Sequence, residues 1–218
     1  MMILMRSIRN FLLFVILAGC VALPHPETAA PAPAPKAPPG FPARIAVFPL
    51  VNNSGNPDGG LIMRAFVIKK LGRELGFVVQ SPTDTDGIIR DRTLSGPEIP
   101  VQVAIAGMDT GTLTTWLGVD GILHGELLAY ERAHLSVYVR SKVEVKFWLT
   151  DSHGKTIWES RKNSEDGSFG GGGSMSLDSE LADSQIPADV MSRIHDSDLA
   201  PVALEVVDDA FSTFPRGY

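Results

Sequence analysis

The chain has 218 residues, a length that suits one domain plus appendages, and 44% of them are apolar, enough for an ordinary hydrophobic core. Its formal net charge is −6, so it offers no broad basic patch for nucleic-acid phosphates or anionic lipid. A single cysteine excludes an intrachain disulfide and any cluster of thiolate metal ligands.

The first twenty residues are the most informative. Arg6 and Arg9 make a basic n-region, and Phe11 to Ala18 an apolar h-region. Leu17-Ala18-Gly19 then leads into Cys20. This layout is a secretory signal, and Leu17-Ala18-Gly19-Cys20 resembles the lipobox of bacterial lipoproteins. The resemblance implies cleavage between Gly19 and Cys20, removal of residues 1–19 as a signal peptide, and acylation of Cys20 (palmitate among the chains) as the new N-terminus. An N-terminal transmembrane anchor is the alternative, but the apolar run falls short of the ~20 residues that a spanning helix needs. Loss of Arg6 and Arg9 takes the net charge from −6 to −8, and an acylated Cys20 leaves no free thiol. No later apolar run is long enough to span a membrane as a helix.

Residues 20–42 form a tether rich in proline and alanine, including Pro24 to Pro42. Proline fixes φ and removes donors, which predicts extended polyproline II reaching on the order of 55 Å from a membrane, at about 3.1 Å per residue. Residues 43–218 are then read as one α/β domain.

Arg44 to Leu50 reads as a buried strand, and Asn52 to Gly60 as a turn. Leu61 to Leu75 follows helical spacing, with Leu61, Ala65, Ile68, Leu71 and Leu75 along one stripe and Gly76 just past the end. Phe77 to Gln80 is a second strand. This β-α-β start predicts a parallel pair with a right-handed crossover. Between Ser81 and Pro100 the prolines leave room for one helical turn, around Gly87 to Arg92. A short helix covers Val101 to Ala106. Asp109 caps another that contains Leu113, Trp116 and Leu117 and stops at Gly118.

Gly121 to Tyr130 alternates as a strand. In Leu135 to Leu149 the apolar Leu135, Val137, Val139, Val143, Val145, Phe147 and Leu149 share one face. Ser136, Tyr138, Arg140, Lys142, Glu144, Lys146 and Trp148 share the other. Period two of this kind sets one face on a core and the other in water. A turn follows with Gly154 in the left-handed region, and Thr156 to Ser160 returns as the partner strand. Residues 165–174, with glycine at 170–173, read as a flexible loop. The last helix starts from Ser197 as N-cap, carries Leu199, Val202, Val206, Ala210 and Phe211, and ends before Pro215. The predicted fold is thus a single compact α/β domain, its mixed sheet starting β-α-β and finishing as an antiparallel meander, closed by a C-terminal helix.

No fragment completes a catalytic or cofactor motif. Gly154-Lys155-Thr156 has Leu149 where a phosphate loop needs its first glycine, and a hairpin turn provides no helix N-terminus. The glycines of 167–172 follow the meander instead of opening a crossover. His124-Gly125-Glu126 has the spacing of zinc deaminases but lacks their cysteines; on a strand it predicts a hydrogen-bonded surface pair. Asp84, Asp86 and Asp91 lack the spacing of a calcium loop and read as caps and turns. No catalytic, cofactor or metal residue is assigned, and the chain is read as not an enzyme. A serine or carboxylate site assembled only in space stays open, and with it an envelope hydrolase. Tyr138, Arg140, Lys142 and Trp148 are the candidate interaction surface, with burial of Trp148 under a neighbouring element as the alternative.

The order of pieces carries a wider resemblance. Ile45 to Leu50 precedes an Asn-rich turn, and Leu117 to Gly125 precedes a long alternating strand. Asp151-Ser152-His153-Gly154-Lys155-Thr156-Ile157-Trp158 follows, and a final helix closes on Phe214-Pro215. Together these resemble envelope lipoproteins related to the curli-secretion lipoprotein CsgG and to the TolB N-terminal domain. The resemblance implies a compact domain without catalytic machinery that acts by contact in envelope assembly, secretion or polysaccharide export. Its partners would be the membrane, through the N-terminal lipid, and envelope proteins or a secretion complex, with oligomerisation allowed. Val21 after the cysteine, by resemblance to the enteric sorting rule, places it on the outer membrane facing the periplasm. A pore subunit is the competing expectation, since Leu135 to Leu149 exceeds the ~9–11 residues of a tilted membrane strand.

Overall fold

The structure, a computed structural model, describes residues 37–135, 138–169 and 186–216. The signal peptide, most of the tether, Gly19, Cys20 and the glycines at 170–173 lie outside them. The fold class matches the expectation: one mixed α/β domain with a six-stranded sheet and a C-terminal helix.

Strand β1 (Arg44–Val47) is apolar on both faces, and so buried on both. Ile45 and Val47 enter one core, while Ala46 and the following Phe48 enter a second on the other side of the sheet. Two short strands follow, β2 (Val51–Asn52) before the first helix and β3 (Val78–Val79) after it. β3 pairs with β1 in parallel, as the β-α-β start predicts. Then come β4 (Gly121–Leu135), β5 (Tyr138–Asp151) and β6 (Thr156–Phe169). The order is β3-β1-β4-β5-β6: β4 runs parallel to β1, β2 lies beside the middle of β4, and β4-β5-β6 form the antiparallel meander.

Helix α1 (Gly59–Lys69) runs into a π-helical turn, Lys70–Glu74, in which the Leu75 amide donates to the Lys70 carbonyl. Gly76 follows at φ +75°, as predicted for a helix terminator. The predicted stripe needs correction: Leu61 is 43% exposed, while Ile62, Met63, Phe66 and Val67 are buried. The helix lies in a cleft between the sheet and two later helices, so its burial is broader than one stripe.

The segment after β3 departs most from expectation. In place of one turn it holds α2 (Pro82–Thr93), because Pro82 stands at the helix start, where a missing N–H costs nothing. α3 (Val101–Ala104) and α4 (Thr110–Leu117) fall where expected. The Asp109 carboxylate caps α4 by accepting from the Thr112 amide at 2.9 Å, and Gly118 ends it at φ +65°.

Leu135 belongs to β4, not to the strand that follows. It pairs with Tyr138, so the chain reverses across residues 136–137. Glu165 to Phe169, expected in a loop, extend β6. A helix not read in the sequence, α5 (Ala188–Asp196), precedes the last helix α6 (Ala200–Ala210). Ser197 sits two residues before the actual N-cap, Leu199, and its hydroxyl bonds Tyr130 at 2.8 Å.

The helices form two layers. α1, α5 and α6 cover one face of the sheet, where Val143, Val145, Phe147 and Leu149 are fully buried. α2, α3 and α4 cover the other face only over β1 and the start of β4, through Ile89, Val101, Leu113 and Leu117. Arg64 of α1 ties the layers together around the end of β1. Its guanidinium donates to the Val47 carbonyl at 2.8 and 3.0 Å and to both carboxylate oxygens of Asp86 of α2 at 2.8 Å.

Candidate interaction surface

Because the second helical layer stops over β1 and the start of β4, no described helix covers the same face of β5 and β6. Strand alternation lines it with Arg140, Lys142, Glu144, Lys146 and Trp148 from β5 and with Glu159, Arg161 and Glu165 from β6. The charges pair across the two strands and, for Lys142 with Glu144, along β5. Arg140 meets Glu165 at 2.8 Å, Arg161 meets Glu144 at 2.6 Å, Lys142 meets Glu144 at 3.3 Å and Lys146 meets Glu159 at 3.3 Å. The hydrogen bond from Arg161 holds the Glu144 carboxyl below its ordinary range, and Arg140 does the same for Glu165. Exposed pairs of this kind stabilise little. Their effect is to hold opposite charges side by side on this face.

The predicted surface residues therefore divide. Arg140, Lys142 and Trp148 lie together on the open face, whereas the side chain of Tyr138 lies outside the described ones. Trp148 is half-buried at the border of this face. It stacks on His124 with ring centroids 5.3 Å apart and planes 9° from parallel, and the Lys146 ammonium sits 5.7 Å from its centroid. His124 also meets Phe48 edge-on at 5.4 Å. Its Nε2 lies 3.2 Å from the Thr150 hydroxyl, which is also 3.2 Å from the Ile122 carbonyl. Burial lowers the His124 pKa to about 4. His124 and Glu126 are not bonded to each other as expected: Glu126 instead accepts from Asn53 at 2.7 Å. Among the described residues no carboxylate bonds to His124.

Two further features had no reading in the sequence. A groove of about 360 Å³ runs between α1 and α2 and is also lined by Ile186, Pro187 and Val190. Its walls include Leu61, Ala65 and Ile68, with the Arg64–Asp86 pair and Arg90 as the charged groups. The acidic residues read as caps and turns thus belong to α2: Asp84 stands in its first turn and Asp86 binds Arg64. Beyond α2, Leu94 holds a left-handed conformation at φ +53° and is 92% exposed, close in sequence to the exposed Ile99 and Val103. Leu94 is the residue that ends α2, and its side chain takes no part in either core. Periodicity could not have found either feature, since each depends on which helices meet.

Among the described residues no group of three or more His, Cys, Asp and Glu side chains is placed to hold a metal ion. None of the described helices is long and apolar enough to cross a membrane. The Gly154 turn is the hairpin expected, its φ +79° and its Asp151 carboxylate bonded to the amides of His153 and Lys155.

No family model matches the chain, and no curated protein matches it. Solved structures do. Lipoprotein GNA1162 from Neisseria meningitidis superposes with a TM-score of 0.53 at 22% identity, over 72% of this chain and 100% of that one. PelC from Paraburkholderia phytofirmans, crystallised as a dodecamer, gives 0.45 at 15% identity over 78% and 86%. The C-terminal domain of LpoB from Salmonella enterica gives 0.40 at 12% identity over 59% and 87%. The first of these likenesses establishes a fold shared with a bacterial lipoprotein.

Proposed function

We propose that this chain is a lipid-anchored envelope protein that works by contact and not by catalysis. Cys20 carries the acyl chains, residues 20–42 link it to the domain, their last part packing on the core through Ala37 and Phe41, and the domain presents an open sheet face to envelope proteins of an assembly, secretion or polysaccharide-export system. The carrying observation is Leu17-Ala18-Gly19-Cys20 at the end of a secretory signal. A shared fold with a lipoprotein and a sheet face lined with charged side chains support the same reading. Kinship with the CsgG and TolB group, residence on the outer membrane facing the periplasm, and the absence of a cofactor belong to it. Anchoring confines the domain near partners and raises their effective concentration.

Two measurements test it. Radiolabelled palmitate should enter the wild-type chain and not Cys20→Ser, and Cys20→Ser should leave the membrane fraction as an unprocessed or soluble form. Unchanged processing and membrane association of Cys20→Ser, with no label on the wild type, would refute the anchor.

The pore-subunit reading meets a physical obstacle. It gives lipid the apolar face of β5, yet Val143, Val145, Phe147 and Leu149 are already buried against α1 and α6. A pore would require those helices to leave the sheet.

A further inference from the structure

β6 is an edge strand of 14 residues, hydrogen-bonded to β5 on one side and to no described strand on the other. A long unpaired edge is a template for another strand, and natural proteins either block it or use it. This edge carries no proline. Its charge at the centre of the inward face, Lys162, is already neutralised by Asp209 of α6 at 3.0 Å; Asp166, at an inward position by register, lies nearer the strand's end. A β-bulge kinks only the beginning of the strand, between the pairs Thr150–Thr156 and Leu149–Trp158, and pairing from Trp158 onwards is regular.

We infer that β6 pairs antiparallel with β6 of a second copy about a two-fold axis through Asn163, joining two sheets into one. The pattern of charge selects both occupant and register. With Asn163 opposite the partner's Asn163, Arg161 falls opposite the partner's Glu165, and Glu165 opposite the partner's Arg161. Each keeps its own intrachain ion, Glu144 for Arg161 and Arg140 for Glu165. Signs then alternate across four strands, from Glu144 through Arg161 and the partner's Glu165 to the partner's Arg140. Opposite charges on directly facing residues stabilise a strand pair, and like charges destabilise it. Sliding by one pair in one direction sets Glu159 against the partner's Glu165 and Lys162 against the partner's Lys162. Sliding the other way leaves Arg161 opposite the partner's Gly167 and loses both ion pairs. An antiparallel two-fold also keeps the same faces on the same side, so the helical layers remain together and the open charged face doubles in extent. The inference rests on β6 alone and stands whether or not Cys20 is acylated.

Cysteine trapping in the full chain, in its native membranes, tests it. Asn163→Cys should form a disulfide-linked dimer on mild oxidation. Glu159→Cys, eight residues along the strand from the partner's Glu159, should remain monomeric. Adding Arg161→Glu to Asn163→Cys should lower the trapped fraction about tenfold, the effect of two attractive pairs made repulsive, and adding Glu165→Arg to that variant should restore it. Absence of trapping at Asn163→Cys in a chain with wild-type thermal stability would overturn the proposal. So would equal trapping at both positions, or indifference to charge reversal.

Discussion

His124 shows how burial changes what a residue can do. In the sequence it sits in an alternating strand, on what reads as a wet face. In the fold Phe48, Trp148 and Thr150 enclose it and lower its pKa to about 4. The folded chain therefore resists a proton that the unfolded chain accepts near pH 6.5. This contribution to stability is intact above about pH 6.5, falls as the pH drops towards 4, and is constant below. The full loss is on the order of 3 kcal/mol. Thermal melts of wild type and His124→Phe between pH 7 and pH 4 should show the acid slope of the wild type reduced in the variant, because phenylalanine keeps the aromatic contacts and takes no proton. Parallel slopes would mean that His124 titrates as if exposed.

At the scale of elements, β4 is shaped by what lies close to its backbone. A Cβ at Gly125 would approach Leu50 Cγ to 2.8 Å and Phe147 Cδ1 to 3.0 Å, so the glycine allows the segment after β1 and the buried ring of β5 to close on the strand. Gly125→Ala should cost about 1–3 kcal/mol by overpacking, read as a lower denaturant midpoint with an unchanged slope. The elements themselves were legible to different degrees. α4 was predicted with both ends because its signals are local: Asp109 bonds within its own first turn, and Gly118 adopts the left-handed conformation that favours glycine. α2 was reduced to a turn because Pro82 was read as a breaker, although at a helix start it is favourable. The β4–β5 reversal falls between Leu135 and Tyr138 and not, as expected, between Tyr130 and Leu135, because Leu135, Val137 and Val139 carry the apolar alternation on without glycine, asparagine or aspartate to mark a turn.

At the scale of the molecule, the two helical layers meet around the end of β1 through Arg64, which is 6% exposed. Its guanidinium is matched by one backbone carbonyl and one bidentate carboxylate, so removing the carboxylate strands a buried charge. Asp86→Ala should destabilise the domain by about 3–5 kcal/mol, and Asp86→Asn, which can still accept one hydrogen bond, by less. Urea titration distinguishes them; a loss below about 1 kcal/mol for Asp86→Ala would mean that water or Val47 alone satisfies the arginine. The same ion pair lines the groove between α1 and α2, so its loss would also open that surface.

What the sequence determined by itself is everything set by neighbours along the chain. That includes the caps of α4, the alternating faces of β5 and the turn at Gly154, and the expectation of a signal, lipobox and tether rests on the same kind of local pattern. Each depends on residues within a few positions of one another. Only the tertiary structure decided that β1 lies between β3 and β4, and that Arg64 reaches Asp86. It also decided that His124 loses its water and that the second helical layer stops short of β5 and β6. Those outcomes depend on which distant surfaces exclude solvent from each other, a competition among many apolar faces that no local spacing records.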